Sequence, residues 1–303
     1  MNRPLRPVGA FSRPGDGFLI ILAPMLRGLF NFLLFSSIYI AVCAVLMAWE
    51  TAELLSLEFD RFNYAGFVFF STICSYNFHW YLTPGSPRHS ERILWGQRQR
   101  ALQLTGCVIG MLGAGWFFMP LAQHWLPISG AVALTFLYSA PKLPMFRWLS
   151  KIAVGKTIFL AAVWTYVTTT LPALIAGKLD ADGVYLTVYR FFFVYAICIL
   201  FDYRDREEDR EAGIRSLITR LEDPHLDKLY YSSLVVAWIC AFLLAPAVPL
   251  FALFSLLLPL VITGMIKRYA QTHTSDYVYY FFLDGLMMLS ALIHGCWRLA
   301  GGI

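Results

Sequence analysis

The feature that most constrains this chain is a succession of apolar runs, each about as long as a helix that crosses a bilayer. At about twenty residues per crossing, the 303-residue sequence accommodates about nine helices, at roughly 29–48, 64–83, 101–120, 126–140, 155–176, 184–203, 230–246, 249–266 and 277–297. Only 14% of the residues are charged and 58% are hydrophobic, a balance far from that of a water-soluble domain. An all-α integral membrane protein is therefore predicted. Pro246 and Pro249 separate the seventh run from the eighth and also fit a kink within one region.

Ahead of the first run, Arg3, Arg6 and Arg13 lead into residues 17–26, which are apolar but short and interrupted by Pro24. This stretch reads as an interfacial helix rather than a cleaved signal. Residues 1–28 are accordingly expected to form a basic cytoplasmic segment, and residues 29–303 a single polytopic membrane domain. The distribution of basic residues sets the expected orientation. With the amino terminus inside, the cytoplasmic connections hold most of them, including Arg88, Arg92, Arg98, Arg100, Lys142 and Arg147. Only Arg61, Lys178, Arg190 and Arg298 are left outside. A cell inner membrane is the expected location. The net charge of +5 then belongs to loops facing anionic headgroups, and no nucleic-acid partner is expected. The six cysteines all lie in apolar stretches without a CxxC pair, which suggests neither a disulfide framework nor a zinc site.

The sixth run ends in Phe201-Asp202-Tyr203-Arg204-Asp205-Arg206-Glu207-Glu208-Asp209. Acid at the edge of a transmembrane helix is expensive unless it faces water, an opposite charge or a bound ion, so this is the first place to look for chemistry. At about 100° per residue, Asp202, Asp205 and Asp209 fall within a sector of roughly 60°, while Glu207 points away. Carboxylates so arranged repel one another unless a cation joins them. Oxygen-only donors suit Mg²⁺, which commonly bridges to substrate phosphates, so a diphosphate or nucleotide is indicated. The sequence has neither GxxxxGK[ST] nor a GxGxxG leading into a helix, which disfavours the nucleotide. The same run also fits a solvated juxtamembrane face whose acids are neutralised by Arg204, Arg206 and Arg210. The two longest cytoplasmic connections, 84–100 and 203–229, flank this end, and long loops in compact proteins are often functional.

From Asp205 the chain reads Asp205-Arg206-Glu207-Glu208-Asp209-Arg210-Glu211-Ala212-Gly213-Ile214-Arg215-Ser216-Leu217, continuing to Thr219-Arg220-Leu221. This resembles the second aspartate-rich motif of the UbiA superfamily of intramembrane prenyltransferases, with its following Gly, basic residue and Ser. Tyr138-Ser139-Ala140-Pro141-Lys142-Leu143-Pro144 is similar to the family's Tyr-Ser, Pro and basic segment between the fourth and fifth helices. The resemblance implies a ring of nine helices around a lipid-accessible central cavity, with the acidic motif at the cytoplasmic end of the sixth. It further implies Mg²⁺-dependent transfer of a prenyl group from an isoprenyl diphosphate to an aromatic or lipid acceptor, as in quinone biosynthesis. Asp205 and Asp209 would be metal ligands, with Asp202 an additional acid on the same face. Lys142, Arg147 and Tyr138, with Arg88 or Arg92, would meet the diphosphate. Membrane lipids and other subunits of a membrane complex are the remaining expected partners.

The chain departs from the family at the first aspartate-rich motif, N-D-x-x-D at the end of the second helix. It reads Ser75-Tyr76-Asn77-Phe78-His79-Trp80-Tyr81 there, so Asn77 corresponds to the motif's Asn while Phe78 and Tyr81 replace its aspartates. Asn77 as a carbonyl ligand and His79 as base or ligand are the candidate catalytic residues of this segment. A lone His in an apolar helix also fits a structural role. Asp60 and Glu58 lie at the far end of the span, and Glu91 lies in the following loop. Two other readings therefore stay open. One is a lapsed UbiA-fold protein serving as a prenyl-lipid or quinone-binding or scaffold subunit. The more distant one is a transporter whose acids carry protons or cations, against which the clustering of acids at one end weighs. Gly106, Gly110, Gly113 and Gly115 predict close helix packing, and Asp276 and Asp284 have no assigned role.

Overall fold

The computed structural model describes residues 16–83, 90–139, 156–211 and 217–301, and every regular element among them is helical. Helices α1 (Asp16–Phe35) and α2 (Ile38–Leu54) are joined at Ser36 and Ser37, and the chain bends there by 56°. Ser37 takes a left-handed φ of 71°, a conformation that costs an L-residue of the order of 1 kcal/mol. The Asn77 amide supports the break by donating to the Ser36 carbonyl at 3.1 Å. The run expected as the first span, at roughly 29–48, thus contains a break.

Helix α3 (Arg61–Tyr81) starts at Asp60, whose carboxylate accepts from the Asn63 backbone at 3.1 Å and from its side-chain amide at 2.6 Å. A short helix, α4 (Glu91–Arg98), follows, then α5 (Arg100–Phe118), which runs antiparallel to α3. Their close approach depends on Gly110. A Cβ there would lie 2.6 Å from the Cys74 nitrogen and 2.8 Å from the Phe70 carbonyl oxygen. A 3₁₀ turn, Met119–His124, leads into α6 (Trp125–Ser139). Arg100 at the start of α5 donates to the Tyr81 carbonyl, while Tyr138 at the end of α6 stacks on His79. Both ends of the Arg100–Ser139 stretch therefore meet the C-terminal end of α3, and the chain reverses at the 3₁₀ turn.

Helix α7 (Lys156–Thr165), a π turn (Tyr166–Thr170) and α8 (Leu171–Ile175) form the next element. The π turn alters the local carbonyl ladder. Its Val167 carbonyl accepts from the Tyr64 hydroxyl at 2.6 Å and its Thr168 carbonyl from the Thr51 hydroxyl at 2.8 Å. Helix α9 (Ala181–Glu211) is the buried centre of the fold, packing against α7 and against α11 (Asp223–Leu244), which follows the short α10 (Leu217–Arg220). Helix α12 (Leu250–Thr272) precedes a second π turn, Val278–Leu283, that continues into α13 (Asp284–Leu299). Here the Phe281 carbonyl accepts from the Tyr39 hydroxyl at 2.8 Å. Away from the acidic end of α9, Arg190 pairs with Glu50 at 3.0 Å inside the bundle, and Ser290 donates to the same carboxylate oxygen at 2.9 Å.

Six of these helices are long and apolar enough to cross a membrane, and seven if the bent α1–α2 pair is one span. The protein is a multi-pass membrane protein, but length and apolarity alone do not give the expected count of about nine. Helix α3 is not among the six, because Asn63, Ser71, Thr72, Ser75, Asn77 and His79 dilute its apolar face. The third and fourth expected spans fall within one continuous helical stretch, Arg100–Ser139.

Candidate functional site

A cavity of about 960 Å³ opens between α2, α3, α4, α6, α7, α9 and α13. Ile40, Ala44, Leu160, Val163, Val194, Ile197 and Met287 make one part of its lining apolar, and Tyr76 and Trp164 add rings. Its polar lining includes Asp202, Arg204, Asp205, Glu208, Asp209 and Glu211 of α9, and Ser90, Arg92, Asp276, Tyr280 and Asp284. The volume lies at the upper end of the range of roughly 300–1,000 Å³ usual for small-molecule sites.

Because α9 continues as a helix past the end of its apolar run, Asp202, Asp205 and Asp209 keep a common face and all three line the cavity. Asp202 is buried and accepts a hydrogen bond from the Thr157 hydroxyl of α7. The Asp205 carboxylate accepts from Arg204 Nε at 2.9 Å. Arg206, on another side of the helix, turns away to Asp223 and the Leu221 carbonyl, and so fixes the turn into α11. Asp209 is buried on the cavity wall.

Opposite stands Arg92, in the first turn of α4 and only 4% exposed. Its position is set by a relay of caps. Ser90 caps α4 by accepting from the Ile93 nitrogen at 3.2 Å and donates to Asp276 at 2.9 Å. The same Asp276 oxygen accepts from the Arg92 nitrogen at 2.9 Å. Glu91 is held by the Tyr277 hydroxyl at 2.8 Å and by Arg27 at 2.9 Å. The Arg92 guanidinium then lies 4.2 Å from the Trp80 ring centroid, 4.8 Å from that of Tyr280 and 5.8 Å from that of Phe35. Cation–π contact is stronger in such a desolvated setting than at a surface. Its Nη1 donates to the Leu34 carbonyl at 3.1 Å, and its Nε has no hydrogen-bond partner among the described residues. Burial lowers its pKa from the ordinary value, while Tyr280, Asp284, Tyr76 and Asp276 pull the other way. An arginine stays charged in such surroundings, so the cavity wall carries a buried cation with donor capacity to spare.

Tyr280 links the two sides. Arg204 donates to its hydroxyl at 2.9 Å and places its guanidinium carbon 5.0 Å from the ring centroid, so the ring contacts both guanidinium groups. Arg204 also approaches Asp276 at 3.6 Å.

On α3 the cavity-facing stripe is Ser71, Thr72, Ser75, Tyr76, His79 and Trp80, and Thr83 lines the cavity just past the helix end. His79 stacks on Tyr138 with ring centroids 5.1 Å apart, and its Nδ1 is 3.5 Å from Ser139 Oγ. Asn77 is buried elsewhere. Its amide donates to the Ile73 carbonyl at 2.8 Å and to Ser36, and it packs against Gly106. Phe78 and Tyr81, the positions expected to have carried aspartates, do not line this cavity either.

The structure therefore brings Asp202, Asp205, Asp209, His79 and Tyr138 to one cavity and leaves Asn77 outside it. Lys142, Arg147 and Arg88 lie outside the described residues. Among the described residues, no three His, Cys, Asp or Glu side chains converge closely enough to hold a metal ion by themselves. The oxygen-donor pair Asp205 and Asp209 nevertheless suits Mg²⁺, which is usually bound through one or two carboxylates together with substrate phosphates and water. Sequence reasoning missed the roles of Asp276 and Tyr280 in positioning Arg92. The available signal was their spacing, which sets Asp276, Tyr280 and Asp284 one helical turn apart at the start of an apolar run.

The family model described as the UbiA prenyltransferase family matches residues 86–286. No curated protein and no solved structure matches the chain significantly.

Proposed function

Since the chain belongs to the UbiA prenyltransferase family, we propose that it transfers a prenyl group from an isoprenyl diphosphate to a hydrophobic aromatic or lipid acceptor, using Mg²⁺, as in quinone-type biosynthesis. The observation that carries this reading is one cavity lined both by aliphatic and aromatic side chains of prenyl-binding character and by carboxylates of α9 together with the guanidinium groups of Arg92 and Arg204. Asp205 and Asp209 would hold Mg²⁺, which when bound neutralises charge on the departing diphosphate. Arg92 donates from its outer guanidinium nitrogen to the diphosphate, a charge-assisted contact. Lys142 and Arg147, outside the described residues, are the further diphosphate contacts of this reading, and His79 and Tyr138 line the cavity. Asn77 keeps its packing role. The rings of Tyr76, Trp80 and Trp164 and the aliphatic wall exclude water and face the allylic cation. In this reading nine crossings surround the cavity, α3, α5 and α6 each counting as one, and the acidic end faces the cytoplasm, where the basic connections also fall.

The test is transfer of label from geranyl, farnesyl and geranylgeranyl diphosphates into extractable lipid. It uses purified protein with native lipids and quinone precursors, with and without Mg²⁺, and Asp205→Ala as control. Mg²⁺-dependent product that disappears in Asp205→Ala is expected. Absence of product from folded wild-type protein that still binds prenyl diphosphate would replace this reading with that of a binding subunit.

A further inference from the structure

Asp284 opens α13 four residues beyond Tyr280, which lies in the second π turn. Along the chain it lies between Tyr280, which contacts Arg92 and Arg204, and Met287 of the apolar lining. It lines the cavity, and among the described residues it has no hydrogen-bond or ion-pair partner. This sets it apart from Asp276, which accepts from Ser90 and the Arg92 backbone, and from Glu50, which is held by Arg190 and Ser290. An intramembrane carboxyl group without a hydrogen-bonded partner is a functional candidate by default. Its backbone is anchored, because the Tyr39 hydroxyl donates to Phe281 and rests against Gly285, where a Cβ would meet that oxygen at 2.4 Å. The rings of Tyr39 and Tyr76 line the same cavity.

We propose that Asp284 is the acceptor-side catalytic residue, binding a phenolic hydroxyl and taking its proton. This rests on the prenyl-transfer reading above. The C1–O bond of the prenyl diphosphate breaks and its electron pair leaves with the diphosphate. The phenol ring carbon forms the new C–C bond to C1 as the hydroxyl proton passes to the Asp284 carboxylate. The resulting dienone tautomerises to the prenylated phenol, and the carboxyl group returns one proton to cavity water. No oxidant or reductant is involved. A hydroxylated aromatic acceptor is thereby favoured over a lipid lacking an acidic hydroxyl.

Two measurements test this. In the first, labelled farnesyl diphosphate is incubated with wild type and Asp284→Asn in the presence of hydroxylated aromatics, and both prenylated product and total diphosphate release are counted. Loss of the base should reduce transfer about 100-fold or more, while diphosphate release, now ending in farnesol, stays within a few-fold. Asp284→Glu should restore part of the transfer. Transfer by Asp284→Asn at the wild-type level would overturn the assignment. The second measurement compares binding of 4-hexylphenol with that of its methyl ether, 4-hexylanisole, which partitions similarly but has no proton to donate. Wild type should prefer the phenol about tenfold or more, as a charge-assisted hydrogen bond requires, and Asp284→Leu should not discriminate. Equal binding of both probes to wild type would also overturn it. If wild type neither binds nor ionises a prenyl diphosphate, the prenyl-transfer reading fails, and the probe pair still decides whether Asp284 receives a hydroxyl.

Discussion

Arg92→Met separates the guanidinium's contribution to diphosphate binding from that of the metal. In the structure Nη1 alone donates, to Leu34, and Nε has no partner among the described residues. Nε is enclosed, so the donor left for a diphosphate is Nη2, and one charge-assisted hydrogen bond at about 1.5–3 kcal/mol amounts to roughly 10- to 10²-fold in Kd. Met fits the space between Trp80, Tyr280 and Phe35 and makes sulfur–aromatic contacts of its own. The fold should therefore lose little more than the Leu34 hydrogen bond and the cation–π contacts, about 2 kcal/mol together. The assay is calorimetric titration of the detergent-solubilised protein with inorganic diphosphate and with farnesyl thiodiphosphate, with and without Mg²⁺, alongside a thermal melt. Arg92→Lys should fall between the two, since it keeps the charge but loses the fork and the stacking. The loss in Arg92→Met should persist without Mg²⁺, whereas an Asp205→Ala effect should shrink there. A folded Arg92→Met protein whose Kd stays within threefold of wild type would refute the reasoning.

Two further predictions concern the scaffold. Arg190→Met leaves the Glu50 carboxylate uncompensated inside the bundle and should destabilise the protein by about 3–5 kcal/mol. Glu50→Gln/Arg190→Met should recover most of that, so equal melting of the single and double variants would show that the pair is not what matters. Gly110→Ala places a methyl group 2.6 Å from the Cys74 backbone nitrogen and should cost about 1–3 kcal/mol by prising α3 from α5. Gly115→Ala has nothing within 4 Å of its new Cβ and serves as the silent control in the same thermal melts.

The helical, membrane-spanning class was legible because apolar length is a local property, and the acidic stripe was legible because α9 stays helical through Glu211. What the sequence did not reveal depends on contacts distant along the chain. No strong breaker marks the bend at Ser36 and Ser37, which is supported by an amide from α3. Nor does any local signal put Arg92 between rings of α1, α3 and the second π turn. That placement needs Asp276, far along the chain, to cap α4. Basic loop residues look alike in a sequence, and only burial sets this one apart.

One misplacement was avoidable from helix geometry alone. Asn77 and His79 are two residues apart, hence roughly 200° around a helix, and cannot both face one cavity. The structure turns His79 inward and gives Asn77 to the contacts with Ser36 and Gly106. The same geometry bears on the departure from the family pattern. Phe78 and Tyr81 lie off the stripe formed by Ser71, Thr72, Ser75, Tyr76, His79 and Trp80. Restoring aspartate at Phe78 or Tyr81 would therefore put charge outside the cavity rather than rebuild an acidic wall. The described α3 wall offers no carboxylate, and the charge that faces α9 is a guanidinium held against Trp80. In the proposed reading, a diphosphate in this cavity meets metal-binding acid on one side and a fixed cation on the other. Its binding then depends on α4 staying docked through Asp276 as much as on the aspartates of α9.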